Sequence, residues 1–190
     1  MLFKFKSYLN FLWKSTNQHG VHSPFVYNLV TKCFYDRKER ASYNSIKNFH
    51  KNNTLDISLK NAKLLNRLIP YLDYKKILIL SDSSDFITQI LSVNNQISIS
   101  DSLEVKHPFD FIYMDIAPCE NNPELLETIF SLVHNDSLLL FNEIHKSQSN
   151  QFIWEQLQNN SKTKVTIDTY DLGFVFFRRE QEKEHFIIRV

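Results

Sequence analysis

Several polar stretches in this chain carry side chains able to hold a ligand or move a proton: Ser81-Asp82-Ser83-Ser84-Asp85, Asp101, Asp115, Asn142-Glu143 and His145. Hydroxyls and carboxylates offer hydrogen bonds to a polar ligand. The imidazole of His145 titrates near neutral pH, which suits it to accept a proton from a hydroxyl. His19 and His22, three apart around a turn, have a spacing open to a metal. No acid or cysteine stands beside them, so a hydrogen-bonded structural role is the expectation. Plainer roles exist for the others: helix capping for Asp82 to Asp85, a turn for Asp101, and strand ends at the solvent edge for Asp115, Asn142 and Glu143.

The elements that must position these residues alternate between helix and strand. Leu2, Phe5, Leu9 and Leu12 recur at helical spacing with Trp13 beside them, predicting a first helix docked on the domain by that stripe. A membrane-surface helix is the other reading of the same residues. Ser23-Pro24 starts a second helix through Phe34, and Ser58 caps a third that ends near Pro70. Strands are predicted over 76–80, 96–100, 109–114 and 137–141, with helices after Ser84, from Pro123 to Asn135, and around Phe152 to Leu157. Three β-rich runs, 164–170, 173–178 and 185–190, close the chain. The pattern predicts an α/β fold, a mainly parallel sheet with helices on both faces and antiparallel C-terminal strands. In such sheets ligands bind beyond the carboxyl ends of the strands, where the loops beginning at Ser81, Asp101, Asp115 and Asn142 lie.

At 190 residues the chain makes one domain, or one domain with a small helical extension. The polar stretch from Tyr35 to Asp56 suggests a boundary, giving an N-terminal helical extension over 1–57 and a main domain over 58–190. Apolar residues at 43% and charged residues at 23% exclude wholesale disorder. A net charge of +1 removes the electrostatic case for a dedicated nucleic-acid binder. Cys33 and Cys119, far apart, exclude a disulfide scaffold and fit a reducing compartment. No apolar run is long enough for an integral membrane helix, and Lys4 and Lys6 interrupt the N-terminal segment, so a cytoplasmic location is expected. Gly20 and Gly173 are the sole glycines, which excludes a glycine-rich phosphate cradle.

Three runs carry a family resemblance: His19-Gly20-Val21-His22-Ser23-Pro24-Phe25-Val26-Tyr27, His134-Asn135-Asp136-Ser137 through Glu143-Ile144-His145, and Thr166-Ile167-Asp168 through Phe177-Arg178. Together they resemble a group of bacterial class I S-adenosylmethionine-dependent methyltransferases, similar in turn to small-molecule O-methyltransferases. The likeness extends from about residue 19 to residue 190. It implies a Rossmann-like seven-stranded sheet, S-adenosylmethionine as cofactor, and methyl transfer to a small acceptor.

The resemblance also implies roles, residue by residue. The family's first strand ends in an acid and a glycine-bearing loop around the cofactor. Here Ile79 stands for the acid, and Ser81 and Asp85 stand for glycines. Ser81, Asp82 and Ser83 are the implied cofactor-binding residues; the Ser81 side chain is expected to crowd the cofactor, and Asp85 to set a carboxylate near the cofactor's own. Asp101 matches the acid that holds the ribose, and Asp115 the aspartate beside the transferred methyl. Asp110 follows Asp101 by nine positions where the family has a helix, a strand and a helix, so a shortened sheet is expected. In catechol-type relatives the groups matching Asp115, Asn142 and Glu143 hold a divalent cation, which implies Mg²⁺ on those oxygens. The implied catalytic set is Asp115, Glu143 and His145. The alternative is an inactive, methyltransferase-like module with a degenerate cofactor loop. Its uncovered sheet would invite a protein partner or a homo-oligomer.

Overall fold

Ile77-Leu78-Ile79 and Leu138-Leu139-Leu140-Phe141 are apolar without alternation, the pattern of strands covered from both sides, and all seven are buried. They lie in the middle of a seven-stranded sheet. The computed structural model describes residues 2–52, 57–104, 107–120 and 122–190. Its strands are β1 (Lys76–Leu80), β2 (Ser98–Ser100), β3 (Phe109–Asp115), β4 (Val133–Asn142), β5 (Val165–Asp168), β6 (Leu172–Phe176) and β7 (Glu184–Ile187), in the order β2-β1-β3-β4-β6-β5-β7. β6 is antiparallel to both its neighbours; every other pairing is parallel. The mainly parallel α/β architecture expected from the sequence is the one observed.

Among the described residues seven α-helices flank the sheet: α1 (Leu2–Lys14), α2 (Pro24–Leu29), α3 (Ser42–Asn52), α4 (Leu59–Leu72), α5 (Ser84–Ser92), α6 (Pro123–Ser131) and α7 (Gln148–Asn159). Side chains that alternate along the strands feed two cores. Ile77, Ile79, Phe111 and Tyr113 pack on one face with residues of α2, α3, α4 and α5, whereas Leu78, Ile112, Met114 and Phe141 pack on the other with α6 and α7. Gly173 in β6 lets the second core close: a Cβ there would come within 2.7 Å of the Trp154 ring.

The connection from β2 to β3 is the short section foreseen. Parallel strands normally need a crossover of about a dozen residues or more. Here eight residues, 101–108, separate the two strands, with no helix among those described, and Leu103 packs against the second core.

Four features depart from the pattern reading. α3 occupies a polar stretch for which no element was expected; its apolar anchors are Tyr43, Ile46 and half-buried Phe49. α2 runs on into a π-helical turn over Val30–Phe34, closed by Tyr35 N–H to the Val30 carbonyl at 2.9 Å. Buried Arg67 of α4 donates to the Cys33 and Phe34 carbonyls at its end. α6 stops at Ser131, and Val133 starts β4 opposite Phe109 instead of extending the helix to Asn135. Finally, α1 docks by Ser7 and Phe11, and the stripe predicted to face the domain faces solvent. The boundary expected at 57/58 adjoins residues 53–56, which lie outside the described residues.

Beyond α1, the chain joins the sheet edge. Thr16 N–H donates to the Ile187 carbonyl at 2.8 Å, and Arg189 N–H donates to that of Thr16 at 3.1 Å.

Candidate active site

β1, β3 and β4 end side by side, and the chain reverses its order of strand addition between β1 and β3. That is where open α/β sheets bind ligands. The three strands deliver Ser81, Asp115 and Asn142 to one row. The Ser81 hydroxyl donates to Asp115 Oδ2 at 2.7 Å, and Asn142 Nδ2 donates to Asp115 Oδ1 at 3.2 Å. Above them lies a cleft of about 630 Å³, within the usual range for small-molecule sites. Leu80, Leu103, Met114, Pro118 and Leu125 give it an apolar wall; Asp82, Ser83, Glu143 and Lys146 complete it. Tyr113, beneath, is held neutral: burial pushes its phenol well above the usual range, and the Asp115 and Glu143 carboxylates add to the effect.

The Ser81 side chain, expected to crowd a cofactor, lines the cleft and points its hydroxyl onto Asp115. Asp85 is exposed and outside the cleft lining, in the first turn of α5, so its expected carboxylate is not beside the cleft. Ile79 is a buried core residue opposite Tyr113. Asp101 is also exposed and outside the lining. Ser83 is the N-cap of α5 but makes no side-chain capping bond; its N–H donates instead to the Ser81 hydroxyl at 3.2 Å. His19 and His22 are exposed at the surface.

Glu143 sits at φ 63°, a left-handed conformation that glutamate rarely adopts. Its N–H donates to the Asp171 carbonyl at 2.7 Å and its carbonyl accepts from Asn150 at 2.8 Å, which hold it there. Its carboxylate pairs with Lys146 Nζ at 2.6 Å. This arrangement does not fit Mg²⁺. Both Asp115 oxygens accept protein hydrogen bonds, Asn142 presents its amide nitrogen, and the ammonium of Lys146 is already the cation against Glu143. Among the described residues no cluster of metal-ligating side chains occurs. The implied divalent cation is corrected to a lysine ammonium.

His145 belongs to a second network, one that sequence reasoning did not reach. Nε2 lies 2.7 Å from Asp168 Oδ2, Nδ1 lies 3.2 Å from the Ser7 hydroxyl, and the ring stacks on Tyr170 at 5.1 Å between centroids. A neutral imidazole donating to Asp168 accepts from Ser7. Asp168 Oδ1 also accepts the N–H of Tyr170, which is left-handed at φ 76°. A serine, histidine and aspartate in this order can activate a hydroxyl for acyl transfer. Here Ser7 is 8% exposed inside the docked face of α1, so the array acts as a clamp that fastens the helix. It borders a smaller cavity of about 150 Å³ that shares Asn142, Glu143 and Lys146 with the cleft.

No family model and no curated protein matches the sequence. Solved structures do match. An O-methyltransferase from Bacillus cereus in complex with SAH aligns over 74% of this chain and 92% of its own, at 16% identity and a TM-score of 0.51. An SAH-bound methyltransferase from Podospora anserina aligns over 83% and 97%, at 8% identity and a TM-score of 0.56. A methyltransferase from Geobacter sulfurreducens aligns over 75% and 93%, at 10% identity and a TM-score of 0.50. The fold is that of class I S-adenosylmethionine-dependent methyltransferases. The cleft's polar end lies at Asp82 and Ser83, just before α5, where the Ser83, Ser84 and Phe86 N–H groups already donate within the protein, to the Ser81 hydroxyl, the Ser81 carbonyl and the Ser83 carbonyl.

Proposed function

We propose that the chain binds S-adenosylmethionine in the cleft above β1, β3 and β4 and transfers its methyl group to a small acceptor. The observation that carries the reading is that cleft of about 630 Å³ at the strand-order reversal. When bound, the cofactor supplies an electrophilic methyl on a sulfonium. Asp82 and Ser83 take its charged end, while Leu103, Met114 and Leu125 pack its apolar surface. Asp115, fixed by Ser81 and Asn142, sets the floor beneath the transferred group. The acceptor lies on the Glu143 and Lys146 side. Glu143 takes the proton of its hydroxyl, and Lys146 stabilises the oxyanion that develops. His145, with both nitrogens engaged, positions the Glu143 turn. Catalysis then rests on alignment of donor and acceptor.

Calorimetry with S-adenosylmethionine and S-adenosylhomocysteine tests this. Saturable heat with dissociation constants below about 1 mM is expected. No heat with either ligand at millimolar concentration overturns it. That result would favour the second reading, a non-catalytic module, for which the full hydrogen bonding of Asp115 within the protein already speaks.

A further inference from the structure

The face that α1 turns outward is apolar. Leu2, Phe5, Leu9 and Trp13 are 73%, 65%, 49% and 85% exposed. At 100° per residue they fall within an arc of about 80°. The docked residues Ser7 and Phe11 stand opposite them. The four side chains present on the order of 500 Å² of apolar surface, near the top of the range for a monomer's largest patch. Tyr8, 45% exposed, extends it.

Charge follows the same segment. Four of the chain's 22 basic residues and none of its 21 acidic ones precede Asp36, so the first 35 residues carry +4 and the remainder −3. Lys4, Lys6 and Lys14 belong to α1 itself, which has no acid. The helix is fastened along its inner side by Ser7 to His145, by the Tyr170 hydroxyl to the Lys4 carbonyl at 2.9 Å, and by Phe11 against Tyr170.

We infer that α1 is a membrane-surface anchor that lays its apolar stripe into the headgroup region of a bilayer bearing anionic lipid. A helix already fixed on one side offers only its outer arc, which suits a surface laid over it better than a groove wrapped around it. Lys6, about 60° from the middle of the arc, borders the stripe and complements anionic headgroups, and exposed Trp and Tyr rings are the types that settle at the water–lipid boundary. Among the described residues no helix is long and apolar enough to cross a membrane, so the contact is peripheral. This inference stands whether or not the cleft binds a cofactor.

The test is co-sedimentation of the full chain with vesicles of phosphatidylcholine alone and of phosphatidylcholine with phosphatidylglycerol, read together with tryptophan emission. Trp154 is 1% exposed, so a blue shift reports Trp13. Binding to anionic vesicles is expected to be about tenfold tighter or more, to weaken with salt, and to shift the emission. The double variant Phe5→Ser, Trp13→Ser changes exposed positions and is expected to lose about tenfold or more while keeping its thermal midpoint. Absence of both sedimentation and shift overturns the inference. So does equal binding by the double variant, or light scattering that shows a dimer which the double variant dissociates.

Discussion

The two ends of the same strands follow different rules. At the amino end, Asp110 accepts the N–H groups of Lys75 and Lys76, each at 2.8 Å, and His134 Nε2 lies 3.1 Å from its other oxygen. Burial alone would raise this carboxyl, but the two amides and the imidazole outweigh it and hold it below the usual aspartate range. Left-handed residues near that end, Asp73 and Asn94, are types that accept the conformation. At the carboxyl end the left-handed residues are Glu143 and Tyr170, types that resist it, at a cost of about 1–3 kcal/mol each. One end uses its polar groups to fasten strands. The other uses them to hold strained turns against a cleft.

The largest effect expected from breaking this contrast is at Asp168. Asp168→Ala removes the acceptor for both His145 and the Tyr170 N–H in a buried setting, and about 3 kcal/mol of stability should disappear in urea unfolding. Trypsin should then cut faster at Lys4, Lys6 and Lys14 as α1 loosens; an unchanged cleavage rate would refute the clamp. At the amino end, Asp110→Ala should cost about 2 kcal/mol at neutral pH. Because the folded carboxyl lies below its unfolded value of about 3.9, its contribution is complete above roughly pH 5 and fades as pH falls through the folded value. Wild type and variant should therefore converge in stability towards acid pH. The smallest change is Glu143→Asn, which places a left-handed-tolerant residue in the strained turn and gives up a partly exposed ion pair of little worth. A gain of up to about 1 kcal/mol with loss of the proposed methyl transfer is expected; a drop in stability would show that the turn is not strained.

The order of elements was legible because strand and helix periods are local. The row Ser81, Asp115 and Asn142 was foreseen as strand ends, yet its mutual bonding depends on register between β1, β3 and β4, which no window of sequence contains. The partners of His145 were out of reach for the same reason: Ser7 and Asp168 lie 138 and 23 positions away. The glycine shortage excluded a phosphate cradle, but did not reveal that Glu143 and Tyr170 would take left-handed positions. α1 shows a further limit. Helical spacing reveals a stripe, and the stripe looked like core because apolar residues usually are; which side meets the domain was decided by Ser7, Phe11 and Tyr170. α3 stayed hidden since its apolar anchors are only Tyr43, Ile46 and half-buried Phe49 in an otherwise polar stretch.

The backbone pairing of Thr16 with Ile188 has a consequence for how the chain is made. The segment that follows the first helix has no strand partner until residue 188 has been made, so this pairing closes a loop of about 170 residues. Contacts that far apart along a chain carry a large closure entropy and form slowly.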